Sequence, residues 1–122
     1  MQIRFIAIAA AVLAVIIAVP ASAECIYPKA PDSAPNGSTA TEAEMIAGMT
    51  AFKKYDAEVT AYLSCLDMEA NTRISEAGDN ADQVKQIKLM SSKKHNAAID
   101  ELQVRADEFN SQLRAYKTKH KG

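Results

Sequence analysis

This chain of 122 residues has no tryptophan, two histidines and two cysteines, with four glycines and four prolines. Each shortage removes a class of chemistry. The histidines, His95 and His120, sit far apart, and neither has a second ligand at a metal spacing such as His-x-x-x-His. No serine has a histidine and an acid placed around it, so little remains for acid–base or nucleophilic catalysis. The cysteines, Cys25 and Cys65, form no Cys-x-x-Cys, which argues against a thiol oxidoreductase. There is no glycine-rich phosphate loop and no basic stretch interleaved with aromatics. With 14 basic and 15 acidic side chains there is also no electrostatic case for nucleic acid. The expectation is a non-enzyme with no catalytic residue, no metal site and no cofactor. Met45 and Met49 share a helical face beside Phe52, a pattern that suits ordinary core filling better than copper.

Only one long apolar run is present. Arg4 precedes fifteen uncharged residues, 5–19, and Pro20-Ala21-Ser22-Ala23 follows with a small-x-small cleavage pattern. A membrane span needs ~20 apolar residues, so residues 1–23 read as a signal peptide cut between Ala23 and Glu24. Glu24 stands where lipid attachment at Cys25 would want a small residue. The mature chain is then expected in a bacterial periplasm or secreted, without stable membrane insertion. Losing Arg4 leaves 13 bases against 15 acids, a net charge of −2.

What the chain does have is helical periodicity. It runs over residues 41–77 and again over 81–117, broken at Ala77-Gly78-Asp79-Asn80. Glycine suits the residue that closes a helix, and Asn80 with Gln83 is a pattern that opens the next. Thr41-x-x-Glu44 is a capping box for the first helix. Two long helices joined by so short a turn should fold back as an antiparallel, coiled-coil-like hairpin. The first helix has a main apolar stripe of Met45, Met49, Phe52, Val59, Leu63, Leu66, Ala70, Ile74 and Ala77. The second helix answers with Val84, Ile87, Ala98, Leu102, Phe109, Leu113 and Tyr116, with Ser91 and His95 on the same side. Folding about Gly78 pairs Ile74 with Val84, Ala70 with Ile87, Val59 with Ala98, Tyr55 with Leu102, and Met49 with Phe109. Residues 91–96 are polar, so a kink or looser packing is expected there. Asp100-Glu101 and Asp107-Glu108 diverge by about 100° on a helix and read as a solvated face. The first helix is net acidic and the second net basic, and residues 118–122 form a short basic tail.

A second stripe on the first helix, Gly48, Ala51, Tyr55, Tyr62 and Cys65, lies about a quarter turn from the first. It calls for a second neighbour. Residues 24–40 hold Pro28, Pro31 and Pro35, a spacing that forbids helix and favours extended backbone. Two cysteines in an exported chain read as a disulfide. A Cys25–Cys65 bond would strap this segment back along the first helix. Fifteen extended steps cover ~46 Å at ~3.1 Å each, against ~36 Å of helix from Thr41 to Cys65. The chain should therefore turn at Asn36-Gly37 and reach Cys65 with slack.

Three stretches carry a resemblance: Ala40-Thr41-Glu42-Ala43-Glu44-Met45, Ala61-Tyr62-Leu63-Ser64-Cys65-Leu66, and Phe109-Asn110-Ser111-Gln112-Leu113-Arg114-Ala115-Tyr116. In layout the chain resembles small exported proteobacterial helical proteins of unknown function, a likeness that implies no activity. The functional expectation is a structural or protein-binding hairpin with a protein partner. The alternative is a periplasmic chaperone or stress-buffer protein that holds unfolded clients or metal. A contiguous exposed apolar face would mark the chaperone, and a small patch the binding module. A core this thin suits a monomer stapled by its disulfide or a homodimer. Ile46, Met68, Leu89 and Val104 fall outside both main stripes.

Overall fold

The computed structural model describes residues 24–121, all helix and coil, so the leader and its cleavage site lie outside the described residues. Helix α1 spans Glu42–Ala77 and helix α2 spans Ala81–Lys119, and they pack as an antiparallel hairpin. Thr41 opens α1 as expected. Its hydroxyl accepts from the Glu44 backbone N–H, while the Glu44 carboxylate takes the Thr41 N–H at 2.7 Å. These bonds hold the Glu44 carboxyl below the usual carboxylate range. Gly78 closes α1 with φ at 53°, a conformation that L side chains resist and glycine adopts freely. Asn80 then caps α2 by accepting from the Gln83 N–H.

Helix α2 continues two residues past Lys117, so the tail starts later than the sequence suggests. Lys117 and Lys119 lie in its last turn, where positive charge complements the helix dipole. The polar middle of α2 carries no break in the helix. It is the packing that loosens there. Ser91, Lys94 and His95 are half-buried, and no residue from 67 to 97 is fully buried.

The core occupies one half of the rod. Tyr55, Val59, Tyr62, Leu66 and Ala98 form one cluster, with Leu63, Leu102, Cys25 and Ala30 against it. Ala40, Met45 and Phe109 form a second, flanked by Ala34, Leu113 and Tyr116. Val59 and Ala98 share the first cluster, as do Tyr55 and Leu102, so the expected register holds at those levels. At the Phe109 level it needs correction. Met49 is exposed, and Phe109 stacks instead on Phe52, ring centroids 6.2 Å apart, with Met45 beside it. At an ideal 3.6 residues per turn, Met49 drifts to the rim of a stripe that Met45 and Phe52 keep centred.

Candidate interaction groove

The feature that separates this molecule from a bare hairpin is the strap, residues 25–40. Cys25 and Cys65 are joined by a disulfide across 40 positions of sequence, with Cα atoms 5.8 Å apart. The segment turns at Asn36, whose carbonyl accepts from the Thr39 and Ala40 N–H groups. It then runs back toward Cys65 over the second stripe. Pro35 sits directly on Gly48, where an added Cβ would come 2.7 Å from the proline ring. Tyr27 donates to or accepts from the Tyr55 hydroxyl at 2.9 Å and packs edge-on against Tyr62 with centroids 5.2 Å apart.

The strap is not confined to α1, however. The Ala34 N–H donates to the Glu108 carboxylate at 3.1 Å, and the Gly37 N–H donates to the Gln112 amide oxygen at 2.9 Å. Gly37 is buried so close to α2 that a Cβ would fall 2.8 Å from the Tyr116 nitrogen and overlap the Gln112 carbonyl. The extended segment thus lies in the groove between the helices. This corrects the reading of Glu101 and Glu108 as solvated. Both are half-buried and flank Arg105, which bonds Glu101 at 2.9 Å and Glu108 at 3.4 Å. Asp100 and Asp107 do face solvent. Glu108 and Gln112 sit just beside the apolar stripe of α2, where a polar residue looks like surface until a second chain covers it.

The chemistry of the strap's seat is uniform. An extended backbone with prolines offers few N–H groups, and side-chain acceptors on α2 meet the ones at Ala34 and Gly37. Small residues on α1 let the backbone come close, and two tyrosines supply apolar surface. Burial raises the Tyr55 hydroxyl above its ordinary range, aided by the bond from Tyr27. Burial also raises Tyr62. Between the strap and the helices lies a cleft of about 520 Å³, lined by residues that include Ala47, Ala51, Phe52 and the Arg105–Glu108 pair. That volume is in the range of small-molecule sites, but its charged groups already satisfy one another and the strap.

Beyond Cys65 the same groove is open. A second cleft of about 160 Å³ lies there, floored by Leu66, Ala70, Ile87 and Met90 and edged by Glu69, Arg73, Gln86 and Lys94. Among the described residues no group of three or more His, Cys, Asp or Glu side chains converges in a way that could hold a metal. Met45 is buried while Met49 is exposed, so the two thioethers do not face a common site. His95 is half-buried at the core edge, as its position suggests. The His120 ring stacks on Tyr116 at 4.1 Å, with Nδ1 2.9 Å from the Tyr116 carbonyl oxygen, which ties it to the helix end. No described helix is long and apolar enough to cross a membrane. No protein-family model, no curated protein and no solved structure matches the chain.

Proposed function

We propose that this protein is an exported, non-catalytic helical hairpin that works by binding another protein in the periplasm or outside the cell. The observation that carries the reading is the interhelical groove, which already holds an extended peptide segment by backbone hydrogen bonds, small residues and tyrosines. A rod that binds its own chain in this way has the chemistry to bind another's. The disulfide supports export, because such bonds persist in oxidising compartments.

The exposed large hydrophobics favour a binding module over a general chaperone. Ile46 and Met68 lie on the side of α1 away from α2, Leu89 lies on the outer side of α2, and Ile99 and Val104 point about 140° apart on α2 at 100° per residue. They make no single apolar face of the kind a holdase needs. The chaperone reading keeps one point in its favour: Met68, Leu89 and Met90 are all exposed in the half without a strap, and methionine suits adaptable binding. Capture from periplasmic extract by the tagged, oxidised protein tests the choice. Recovery of one or a few defined partners supports the binding module. Suppression of aggregation of unrelated unfolded proteins, with no defined partner recovered, would replace it by the chaperone.

A further inference from the structure

The strap ends at Cys25, but the faces that hold it do not. On α1, Gly48, Tyr55, Tyr62 and Glu69 recur every seven residues, so they lie along one face. The first three meet Pro35 and Tyr27; the fourth edges the open cleft. On α2, Glu108, Glu101, Lys94 and Ile87 follow the same spacing. Glu108 binds the strap backbone, and Lys94 and Ile87 line the cleft. Leu66 belongs to both regions, packed in the core cluster under Cys25 and forming part of the cleft floor. The open cleft is therefore the continuation of an interface whose occupant is known.

Glu69 makes the second observation. Its side chain is only 12% exposed, and one carboxylate oxygen is engaged by Arg73. The other, Oε2, is buried without any hydrogen-bond partner. A buried acceptor left unpaired costs about 1–3 kcal/mol, so it marks a place where a donor belongs. Along the strap, Glu108 and Gln112 are acceptors of the same kind, and each is filled by a backbone N–H of an extended chain.

We propose that the cleft beyond Cys65 is a docking site for an extended, proline- and alanine-rich segment of a partner protein, lying end to end with the strap. The occupant places small apolar side chains on Leu66, Ala70, Ile87 and Met90. It donates one backbone N–H to Glu69 Oε2 and offers a carbonyl to the Lys94 ammonium. From 66 to 73 the helix rises ~10 Å at 1.5 Å per residue, which holds three or four residues at ~3.1 Å each. Such recognition of a preformed extended chain in an aromatic and apolar groove is a recurrent binding mode. The proposal rests on the protein-binding reading and names its site.

The test is an amide NMR titration of the oxidised chain beginning at Glu24. The probe is a blocked synthetic peptide copying residues 26–36, Ile-Tyr-Pro-Lys-Ala-Pro-Asp-Ser-Ala-Pro-Asn. Saturable shifts confined to residues 66–73 and 86–94 are expected. Glu69→Ala should weaken the peptide about tenfold, as loss of a hydrogen bond to a charged group implies. Glu69→Gln should retain it, because Gln112 already serves the strap with an amide oxygen. Ala70→Phe should fill the cleft and abolish binding, with an unchanged helical circular dichroism spectrum showing that the fold survives. No saturable shifts at millimolar peptide would overturn the proposal, as would shifts limited to Tyr55, Tyr62 and Gln112 or equal binding by Ala70→Phe. A partner captured from extract equally well by wild type and Ala70→Phe would overturn the cleft while leaving the protein-binding reading intact.

Discussion

The same two helices make two different structures on either side of Cys65. Toward the chain termini the strap adds a third layer, and every fully buried residue of the described chain lies in that half. Toward the Gly78 turn there is no third layer, and the best-placed apolar side chains, Ala70, Ile74, Val84 and Ile87, are only half-buried. Two cylinders in contact shield a line of side chains; three shield a volume. The contrast is one of geometry more than of composition, since the tip has its share of isoleucine, leucine and methionine but leaves Met68, Leu89 and Met90 in water. Stability should be divided in the same way, with a firm base and a tip that opens first.

Removing the strap should erase the difference, and that is the largest effect expected. In the chain-entropy model a loop of this length stabilises by about 4 kcal/mol. Without the bond, the strap must stay in its groove by two backbone hydrogen bonds, Pro35 and Tyr27 alone. Reduction, or the Cys25→Ser/Cys65→Ser pair, should lower the melting temperature by some 15–30 °C at about 4–8 °C per kcal/mol. Hydrogen exchange at residues 52–66 should rise to meet that of the tip. A melt insensitive to reductant would show that the base stands without its staple.

The core can be probed directly at two levels of the same rod. Leu66 is 3% exposed under the strap, while Ile87 is half-buried in the open cleft. Leu66→Ala should cost about 3 kcal/mol, within the range for buried leucine truncations. Ile87→Ala should cost only about 1 kcal/mol, because most of the lost surface is already wet or repacks easily. Urea denaturation of both variants checks the ratio. Equal costs would mean that the tip cleft closes in solution.

Much of this division was readable from the residues, and the part that was not has a definite reason. Helix limits follow from local chemistry: Thr41 with Glu44, Gly78, and Asn80 with Gln83 each act within one turn of chain. The Cys25–Cys65 bond follows from pairing two cysteines and counting extended steps. Legibility stops where a segment without periodicity meets a surface that periodicity labels as polar. Glu108 and Gln112 hold the strap backbone, yet in the string they are ordinary charged and polar helix residues. Gly37 and Gly48 are clues in hindsight, since close backbone approach is a standing reason for glycine. The tip cleft is harder still, because its signal is the unfilled Glu69 Oε2, which only three-dimensional burial reveals.

A smaller effect separates the halves by pH. Tyr55 and Tyr62 both lie under the strap, and burial raises both hydroxyls above the ordinary tyrosine range. A group whose folded value is raised holds its proton more tightly in the native state. Its contribution is therefore complete below about pH 10, the ordinary tyrosine value, and is lost as pH rises through the folded value. The tip has no tyrosine. Alkaline titration should then lower the melting temperature by loosening the base, and Tyr55→Phe should remove most of the slope. Urea melts between pH 8 and 11.5 read it, and a slope unchanged in Tyr55→Phe would assign the loss to other groups.

The smallest difference, and the finest test of the comparison, lies in the two helix caps. Thr41 caps α1 at the base and Asn80 caps α2 at the tip, each accepting a backbone N–H three residues on, at 3.2 and 3.1 Å. In isolation the two caps are worth about the same, ~1 kcal/mol when replaced by alanine. The surroundings should split them. Thr41 adjoins Ala40 and Met45, which are buried with Phe109, so fraying at that end draws on the core. Thr41→Ala should lower the global melting temperature by several degrees. Its partner adds an acid-side signature: the Glu44 carboxyl is depressed by the Thr41 N–H, so its contribution is present above the usual carboxylate range and fades as pH falls through the lowered value. Asn80 adjoins only exposed residues, and a tip that already opens before the base melts carries little of the global transition. Asn80→Ala should leave the melting temperature within a degree or two, yet speed hydrogen exchange at Gln83, Val84 and Ile87 by about fivefold, the equivalent of ~1 kcal/mol of local opening. Equal shifts in melting temperature from the two substitutions would mean that base and tip unfold as one unit.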